Sequence, residues 1–322
     1  MIFDRFSATY VGGRCFVSVT FPYNRHDALL VENLRVEENV EYIRANNIKK
    51  AFINFFPDFE FLRQCPSLKH IVIDLRLPFR NYSQLEKTSK IQYDFTPVSE
   101  MDGLLSVDIR DNERPESKAF GSIDISKMTS LQSYIGEHRF TKNLSSGVEL
   151  RTLSLLRYKQ KDLSEFSAMT KLDTLQLQFS RIETLQGCEN LPRLQCLYLA
   201  YNRSLTDISA LESCAQTLRA LRLESCCRIQ DFSVLASLKN LELLEITGSL
   251  RLPNLDFIRQ MPSLKTFIFS ATIEDGDLSP CDNLEYVHYE NGHRYYNRRS
   301  AKLPKGEYYR GNDTIPEWRR ME

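Results

Sequence analysis

A short hydrophobic phrase recurs through the second half of the chain, with a large apolar residue at its first, fourth and sixth positions. One copy is LQCLYL, which begins at Leu194, and successive copies begin 20 to 24 residues apart. Apolar residues at alternating positions predict a strand that buries one face. A nearly fixed period of this length predicts a solenoid, in which each repeat buries its apolar face against the next. The leading residues of the copies are Leu150, Leu172, Leu194, Leu218, Leu241, Leu264 and Leu284.

The residues between the phrases repeat as well. Ten residues before a leading leucine there is often a polar residue followed by an apolar one, as in Asp231-Phe232, and further apolar residues follow at Leu235 and Leu238. This spacing predicts one helical or 3-10 turn per repeat. Eight residues after the leading leucine, Asn202 and Cys226 are expected to bind backbone groups at the corner where the chain leaves the strand. We interpret these corner residues as structural.

The segment LQCLYLAYNRSLTDISALESC, residues 194–214, resembles a leucine-rich repeat of the short, internalin-like type, whose pattern is L-x-x-L-x-L-x-x-N-x-I-x-D-I-x-x-L-x-x-L. The resemblance is clear over residues 150–289 and looser over residues 48–149. It implies an α/β solenoid, with a curved parallel β-sheet on the concave face and short helices or turns on the convex face. It also implies a bacterial source and the usual task of this family, which is to bind another protein.

The repeat array needs atypical ends, because its terminal repeats would otherwise expose their cores to water. A β-hairpin over residues 2–20 and a helix over residues 37–47 are predicted to cover the first end. The predicted regions are an N-terminal cap at 1–47, degenerate repeats at 48–149, regular repeats at 150–290 and a C-terminal cap at 291–322.

The degenerate half departs from the phrase at several places. Gly136 stands where the sixth position should be apolar, and the polar residues 110–121 are interpreted as an enlarged surface loop. A strand is predicted near Ile91 and Tyr93, although its first position is Thr88. The period is therefore interrupted, while the solenoid is expected to continue through this half.

The C-terminal residues 291–322 interleave aromatic and basic side chains. They contain eight Lys/Arg and four Asp/Glu residues, together with Tyr295, Tyr296 and Trp318. Such a segment can stack on single-stranded nucleic acid and neutralise it, so a nucleic-acid-associated protein is the alternative function. We favour the cap, in which the aromatic residues cover the core of the last repeat, because every solenoid needs one.

Composition limits the location and the partners. The chain has 322 residues with 42 Lys+Arg and 42 Asp+Glu, and its zero net charge gives no general attraction to nucleic acid or anionic membranes. No apolar run approaches the roughly 20 residues that span a bilayer, and the first residues lack the pattern of a secretory signal. Eight cysteines without a CxxC pair favour buried free thiols over disulfides or a metal site. We expect a cytoplasmic protein, with a secreted effector as the alternative.

Strand alternation predicts the residues of the concave face, since the third, fifth and seventh positions of each phrase point away from the core. Arginine and tyrosine are favoured as anchors at interfaces because they combine a large contact area with directed hydrogen bonds. The competing interpretation is that the charged residues only solvate the sheet and pair across strands. The predicted partner-binding residues are Tyr198, Arg222, Glu224, Glu245 and Tyr286, with His288 as a lesser candidate.

Catalysis is not expected. The five histidines are scattered, with His70 and His288 in distant repeats, and the sequence has no glycine-rich phosphate-binding motif. Carboxylates such as Glu224 and Glu245 would lie in water on an open sheet, where their pKa values stay ordinary. We predict no cofactor, no metal and no catalytic residue. The predicted function is a non-catalytic protein-protein interaction module that acts as an inhibitor, adaptor or recognition subunit, for example an immunity-type inhibitor or an effector.

Overall fold

A computed structural model gives the fold and describes residues 8–11, 14–21, 24–32, 35–54, 58–75, 93–110, 121–290 and 292–306. The chain divides into two compact units, of which the first reaches Thr152 and the second begins at Leu153. Within the described ranges, no helix has both the length and the apolar character that a membrane crossing requires.

The first unit begins with antiparallel strands. β1 (Ala8–Val11) pairs with β2 (Arg14–Phe21), and β2 pairs with β3 (Asn24–Glu32). The chain then passes through the helix α1 (Val36–Ala45) and enters β4 (Lys50–Asn54), which pairs in parallel with β3. β3 therefore belongs to the antiparallel start and to the parallel sheet at the same time.

This third strand is a difference from the hairpin and helix that the sequence predicts. The polar residues at the start of β3 pair through their backbone with β2. Its second half is apolar: Leu29 and Val31 are fully buried and lie opposite Ala51 and Ile53 of β4. Burial of Leu29 and Val31 stabilises the whole strand, including its polar first half. The predicted hairpin residues 2–7 lie outside the described residues.

Parallel strands continue the sheet of the first unit. They are β5 (His70–Asp74), β6 (Ser106–Arg110) and β8 (Ser133–Glu137), in the order β3-β4-β5-β6-β8. Ile91 and most of the predicted surface loop at 110–121 lie outside the described residues. The short elements described in this unit are β7 (Ile123–Asp124), β9 (Thr141–Lys142), the helix α2 (Thr96–Ser99) and the 3-10 helices Glu60–Gln64, Ile125–Lys127, His138–Phe140 and Leu144–Ser146.

Gly136 in β8 has a structural explanation. A Cβ atom at this position would lie 2.8 Å from Oη of Tyr134. Tyr134 is fully buried, and this burial raises the pKa of its hydroxyl. One large side chain thus fills the space that two apolar residues fill in a regular repeat.

The second unit is regular. Its sheet strands run parallel, and pairing places like positions of the phrase side by side, so that Leu197 lies opposite Leu221. The sheet strands are β10 (Thr152–Leu156), β11 (Thr174–Gln178), β12 (Cys196–Ala200), β13 (Ala220–Glu224), β14 (Leu243–Thr247), β16 (Thr266–Phe269) and β18 (Tyr286–Tyr289), with a separate pair β15 (Arg251–Leu252) and β17 (Thr272–Ile273). Short 3-10 helices connect them at Ser164–Phe166, Cys188–Asn190, Ser209–Cys214, Ser233–Ser237, Asp256–Gln260 and Ser279–Cys281.

The apolar positions of the phrase form the core of this unit. Leu194, Leu197 and Leu199 are at most 1% exposed. Burying a leucine side chain stabilises a fold by about 1.5–3 kcal/mol, and every regular repeat contributes several such side chains. The predicted parallel sheet with short helical turns is confirmed.

All eight cysteines are free thiols. Cys188 and Cys214 lie in the 3-10 helices of adjacent repeats, and the Cys214 thiol donates a hydrogen bond to Sγ of Cys188 over 3.0 Å. Both side chains are 1% exposed, so they act as small apolar core residues.

Candidate functional site

Corner residues hold the backbone where the chain leaves β11 and β12. The Ser180 amide donates to Oδ1 of Asn202 over 2.8 Å, and Nδ2 of Asn202 donates to the Leu177 carbonyl over 3.0 Å. Asn202 is completely buried, and the next corner residue, Cys226, donates its thiol to the Leu199 carbonyl over 3.5 Å. The predicted structural role of Asn202 and Cys226 is confirmed, because both bind backbone groups at the ends of the strands.

The opposite side chains of these strands form a partly accessible surface. Along β13 and β14, Leu221, Leu223 and Leu244 are fully buried, whereas Arg222 and Glu245 are partly exposed. This alternation is the one that the phrase predicts. We call the surface formed by Tyr198, Arg222, Glu224 and Glu245 the open face.

Strand register brings the predicted residues of the fifth position into one row. Tyr198 lies opposite Arg222, and Arg222 lies opposite Glu245. The row continues through Ile268 to His288. Four of the predicted partner-binding residues therefore share one line across the sheet.

Side chains of the open face contact one another across strands. The Tyr198 hydroxyl donates to Oε2 of Glu224, and Nε of Arg222 lies 3.4 Å from Oε2 of Glu245. Burial, followed by the hydrogen bond to Glu224, raises the pKa of Tyr198. The cross-strand pairing that the competing interpretation expects is thus present, and it fixes the orientation of these side chains.

Glu245 corrects the expectation that the carboxylates of this sheet lie in water with ordinary pKa values. Its side chain is 21% exposed. Burial raises the pKa of Glu245, and although Arg222 opposes this shift, the charges of Glu224 and Glu290 add to it. The carboxylate is therefore partly desolvated.

Tyr286 lies under the C-terminal segment. It is 9% exposed, and Nζ of Lys305 lies 5.9 Å from the centre of its ring. The backbone around Lys305 follows β18, where the Val287 amide donates to the Pro304 carbonyl over 2.9 Å. Tyr286 is thus shielded within the chain, whereas His288 is half-buried.

The same segment covers other core residues of the last repeat. Tyr296 is 8% exposed, contacts the ring of Tyr289 edge-on at 5.8 Å and accepts a hydrogen bond from the Ile273 amide over 3.0 Å. Arg298 pairs with Asp282 over 2.7 Å. These are the contacts of a cap, as far as residue 306; residues 307–322 lie outside the described residues.

In the first unit, several positions that correspond to the open face are buried, and others are partly exposed. Phe52 is 4% exposed and packs with Ala28 and Val72, which are fully buried. The charged residues Asp108 and Glu137 are 7% and 3% exposed. The expectation that such positions are exposed all along the sheet is therefore wrong for these residues.

The predicted set does not include Phe179 and Tyr201, which follow the last residues of β11 and β12. They are 44% and 36% exposed, and their rings stack with centroids 4.8 Å apart and an angle of 6° between planes. We call this pair the aromatic platform. The available sequence signal was two aromatic residues 22 positions apart, each directly before a corner residue.

A separate cleft lies beside the ends of β14 and β16. Oγ1 of Thr272 lies 3.4 Å from Nε2 of His293 there, and Glu290 also lines it. Among the described residues, no group of three or more His, Cys, Asp or Glu side chains is arranged to hold a metal ion. None of the predicted partner-binding residues lines this cleft.

Among comparisons with known proteins, a family model matches part of the repeat pattern. A family model described as Leucine Rich repeats (2 copies) matches residues 170–213. The fold is similar to an internalin (inlF) from Listeria monocytogenes, with 16% identity over 82% of this chain and 73% of that chain and a TM-score of 0.46. It is also similar to a leucine-rich repeat protein of Leptospira interrogans, with 13% identity over 81% of this chain and 82% of that chain and a TM-score of 0.38. Comparison with curated protein sequences returned no match.

Proposed function

We propose that this chain, in which residues 170–213 match a leucine-rich repeat family model, is a non-catalytic module that binds a protein partner on the open face of its second unit. Proteins with this fold are commonly protein-protein interaction modules. The residues that we assign to the interface are Tyr198, Arg222, Glu224 and Glu245, with His288 at the end of the same row. Tyr286 is left out because the C-terminal segment shields it.

One observation carries this proposal: large polar side chains stand on a regular sheet and are already oriented by each other. Tyr198 is held by Glu224, and Arg222 is held by Glu245. Arg222 is 25% exposed, so it remains accessible while its rotamer is restrained. The side chains of the open face would therefore lose less conformational entropy on binding than freely rotating residues would.

Catalysis is not part of the proposal. Glu245 is partly desolvated, yet the groups around it are Arg222, Glu224 and Glu290, and these form an electrostatic surface rather than a nucleophile with its base. The role that we propose is that of an inhibitor, adaptor or recognition subunit in the cytoplasm. Cell fractionation followed by detection of the chain tests this location.

Nucleic-acid binding through the C-terminal segment has less support. Tyr296 is buried and Arg298 is paired with Asp282, so both are used in contacts within the chain. Retention on single-stranded RNA or DNA that falls steeply with salt, and that is lost on deleting residues 291–322, would reverse this preference.

Affinity capture with matched variants tests the proposal. The immobilised chain is incubated with lysate, and the proteins retained by wild type are compared with those retained by Tyr198→Ala/Arg222→Glu. We expect the specific partner signal to fall at least about tenfold, as is typical when central interface anchors are lost. Arg193→Glu makes the same charge change on an exposed turn before β12 and should keep the signal within about twofold.

Unfolding in urea is measured for each variant, so that loss of binding is separated from loss of fold. If both variants capture the same proteins equally well, the open face does not bind them and the proposal fails.

A further inference from the structure

The two residues of the aromatic platform have a backbone conformation that is unfavourable for their side chains. Phe179 has φ 53° and Tyr201 has φ 55°, both in the left-handed region. This region disfavours residues with a Cβ atom, and bulky residues adopt it rarely. Backbone hydrogen bonds hold the conformation, since the Phe179 amide donates to the Ala200 carbonyl over 2.9 Å and the Tyr201 amide donates to the Glu224 carbonyl over 2.8 Å.

Neighbouring repeats adopt the same left-handed conformation without aromatic side chains. The conformation is therefore a feature of the repeat, whereas the aromatic rings are not. The same step is left-handed at Arg157, Ser225 and Gly248, with φ of 56°, 52° and 105°. Glycine therefore fits the step without strain. Two consecutive repeats nevertheless carry large aromatic side chains there, and both rings are substantially exposed. Strained backbone together with exposed aromatic surface points to a role outside the core.

A carboxylate lies at the edge of the platform. Glu224 accepts a hydrogen bond from Tyr198, and its carboxylate is close enough to the Tyr201 hydroxyl to raise the pKa of that group. Among the described residues, Glu224 forms no salt bridge, whereas its neighbour Glu245 pairs with Arg222. Glu224 is thus held in place by the Tyr198 hydroxyl, while its charge forms no ion pair within the part of the chain that the structure describes.

We propose that the aromatic platform and Glu224 together bind an arginine or lysine side chain of the protein partner. The proposal rests on the proposed function and names the chemistry that the partner presents. A cation is attracted to the face of an aromatic ring, and a guanidinium group can also donate two hydrogen bonds to a carboxylate. A purely apolar side chain would cover the rings but would desolvate Glu224 without compensating its charge.

The test uses a displayed library of random peptides, selected for binding to the immobilised full chain. A selected peptide is then synthesised with each basic residue in turn replaced by citrulline, which has nearly the shape of arginine without its charge. We expect the selected peptides to be enriched in arginine or lysine. We also expect one citrulline replacement to raise the Kd at least about tenfold, since it removes a cation-ring contact and an ion pair together.

Two double variants separate ring loss from backbone change. Phe179→Gly/Tyr201→Gly removes the platform, and Arg157→Gly/Ser225→Gly places glycine at the same left-handed step in the flanking repeats. Neither should lower the urea midpoint, because glycine suits this conformation. The first should raise the Kd of the peptide at least about tenfold and the second should change it less than about twofold. Glu224→Gln, which keeps the shape and removes the charge, should weaken the arginine peptide but not its citrulline version.

Each outcome bears on one of the two proposals. If Tyr198→Ala/Arg222→Glu abolishes peptide binding while Phe179→Gly/Tyr201→Gly leaves it unchanged, the open face binds and the platform does not, so this inference is overturned and the proposed function stands. Selected peptides that are apolar or acidic also overturn it. An empty selection, or peptides that bind all variants equally, counts against both proposals.

Discussion

Several sheet positions of the first unit that correspond to the open face are buried, whereas the charged pair on the open face of the second unit is partly exposed. Phe52, Val72 and Glu137 are at most 4% exposed, whereas the Arg222 and Glu245 side chains are 25% and 21% exposed. Where water is excluded, a charged side chain must be paired to be tolerated, and its removal weakens the fold. Where the surface is accessible, the fold depends less on a charged side chain, which is then available for recognition.

The pairing differs in the same way. In the first unit, carboxylates pair with an arginine of their own segment: Arg110 with Asp108 over 2.9 Å and Arg139 with Glu137 over 2.8 Å. On the open face the pairs cross between strands, as in Arg222 with Glu245. Cross-strand pairs join neighbouring repeats into one continuous surface.

The largest expected effect is a loss of stability in the second unit, and it comes from the corner hydrogen bonds rather than from the open face. Asn202→Ala removes two buried hydrogen bonds, one from the Ser180 amide and one to the Leu177 carbonyl, and leaves the amide without its acceptor. We expect the free energy of unfolding to fall by about 3 kcal/mol, measured by urea denaturation. Ser249→Ala changes an exposed residue at the same corner of a later repeat and should alter stability by less than about 0.5 kcal/mol. Equal losses would show that the corner hydrogen bonds do not stabilise this unit.

The second largest effect concerns the packing of Tyr134 against Gly136 in the first unit, where the repeat phrase is irregular. Gly136→Ala places a methyl group 2.8 Å from the Tyr134 hydroxyl oxygen, and we expect a loss of about 2 kcal/mol from overpacking. Tyr134→Leu/Gly136→Ala should recover part of this loss, because leucine and a small side chain approach the ordinary phrase. A double variant that is less stable than Gly136→Ala would contradict this account of the site.

A direct test of the comparison pairs one carboxylate from each unit. Glu137→Ala removes the ion pair with Arg139 at a shielded position, and we expect a loss of about 2 kcal/mol. Glu245→Ala at the more accessible pair should lose less than about 1 kcal/mol. Urea denaturation of both variants measures the difference, and the comparison breaks if Glu245→Ala is the more damaging change.

The smallest effect is a pH dependence. Because the pKa of Glu245 is raised in the folded state, this carboxyl binds more protons folded than unfolded as the pH rises past the ordinary value of 4.5. The free energy of unfolding should therefore fall as the pH rises through this window. In wild type, this decrease in the free energy of unfolding should be less than about 1 kcal/mol between about pH 4 and pH 7, and Glu245→Gln should abolish it. Urea unfolding at a series of pH values measures the difference. Parallel curves for wild type and Glu245→Gln would mean that Glu245 titrates normally.

Much of the fold follows from local pattern. The phrase places the core leucines, and the polar residue eight positions later marks the corner, as Asn202 shows through both of its hydrogen bonds. The third strand, β3, was harder to predict, because its polar first half hides an apolar second half that pairs with β4. Gly136 could be recognised as irregular, but only the packed ring of Tyr134 explains it.

The candidate site was predictable in part for the same reason. Alternation assigns Tyr198, Arg222, Glu224 and Glu245 to one side of the sheet, and pairing then brings them into contact. Tyr286 satisfies the same pattern, yet a segment that arrives from beyond β18 shields it. The aromatic platform could not be predicted in this way, because a pattern of apolar and polar residues does not reveal a left-handed backbone conformation.

The sequence by itself determined the repeat, its period and the face on which each side chain would lie, because these depend on the geometry of one strand and one turn. The tertiary structure decided which of those faces meets solvent. Exposure depends on residues distant in the chain, such as Lys305 over Tyr286 or Tyr201 against Phe179. Local periodicity carries no information about such contacts, and they select, among many equivalent positions, the few that are left accessible to a partner.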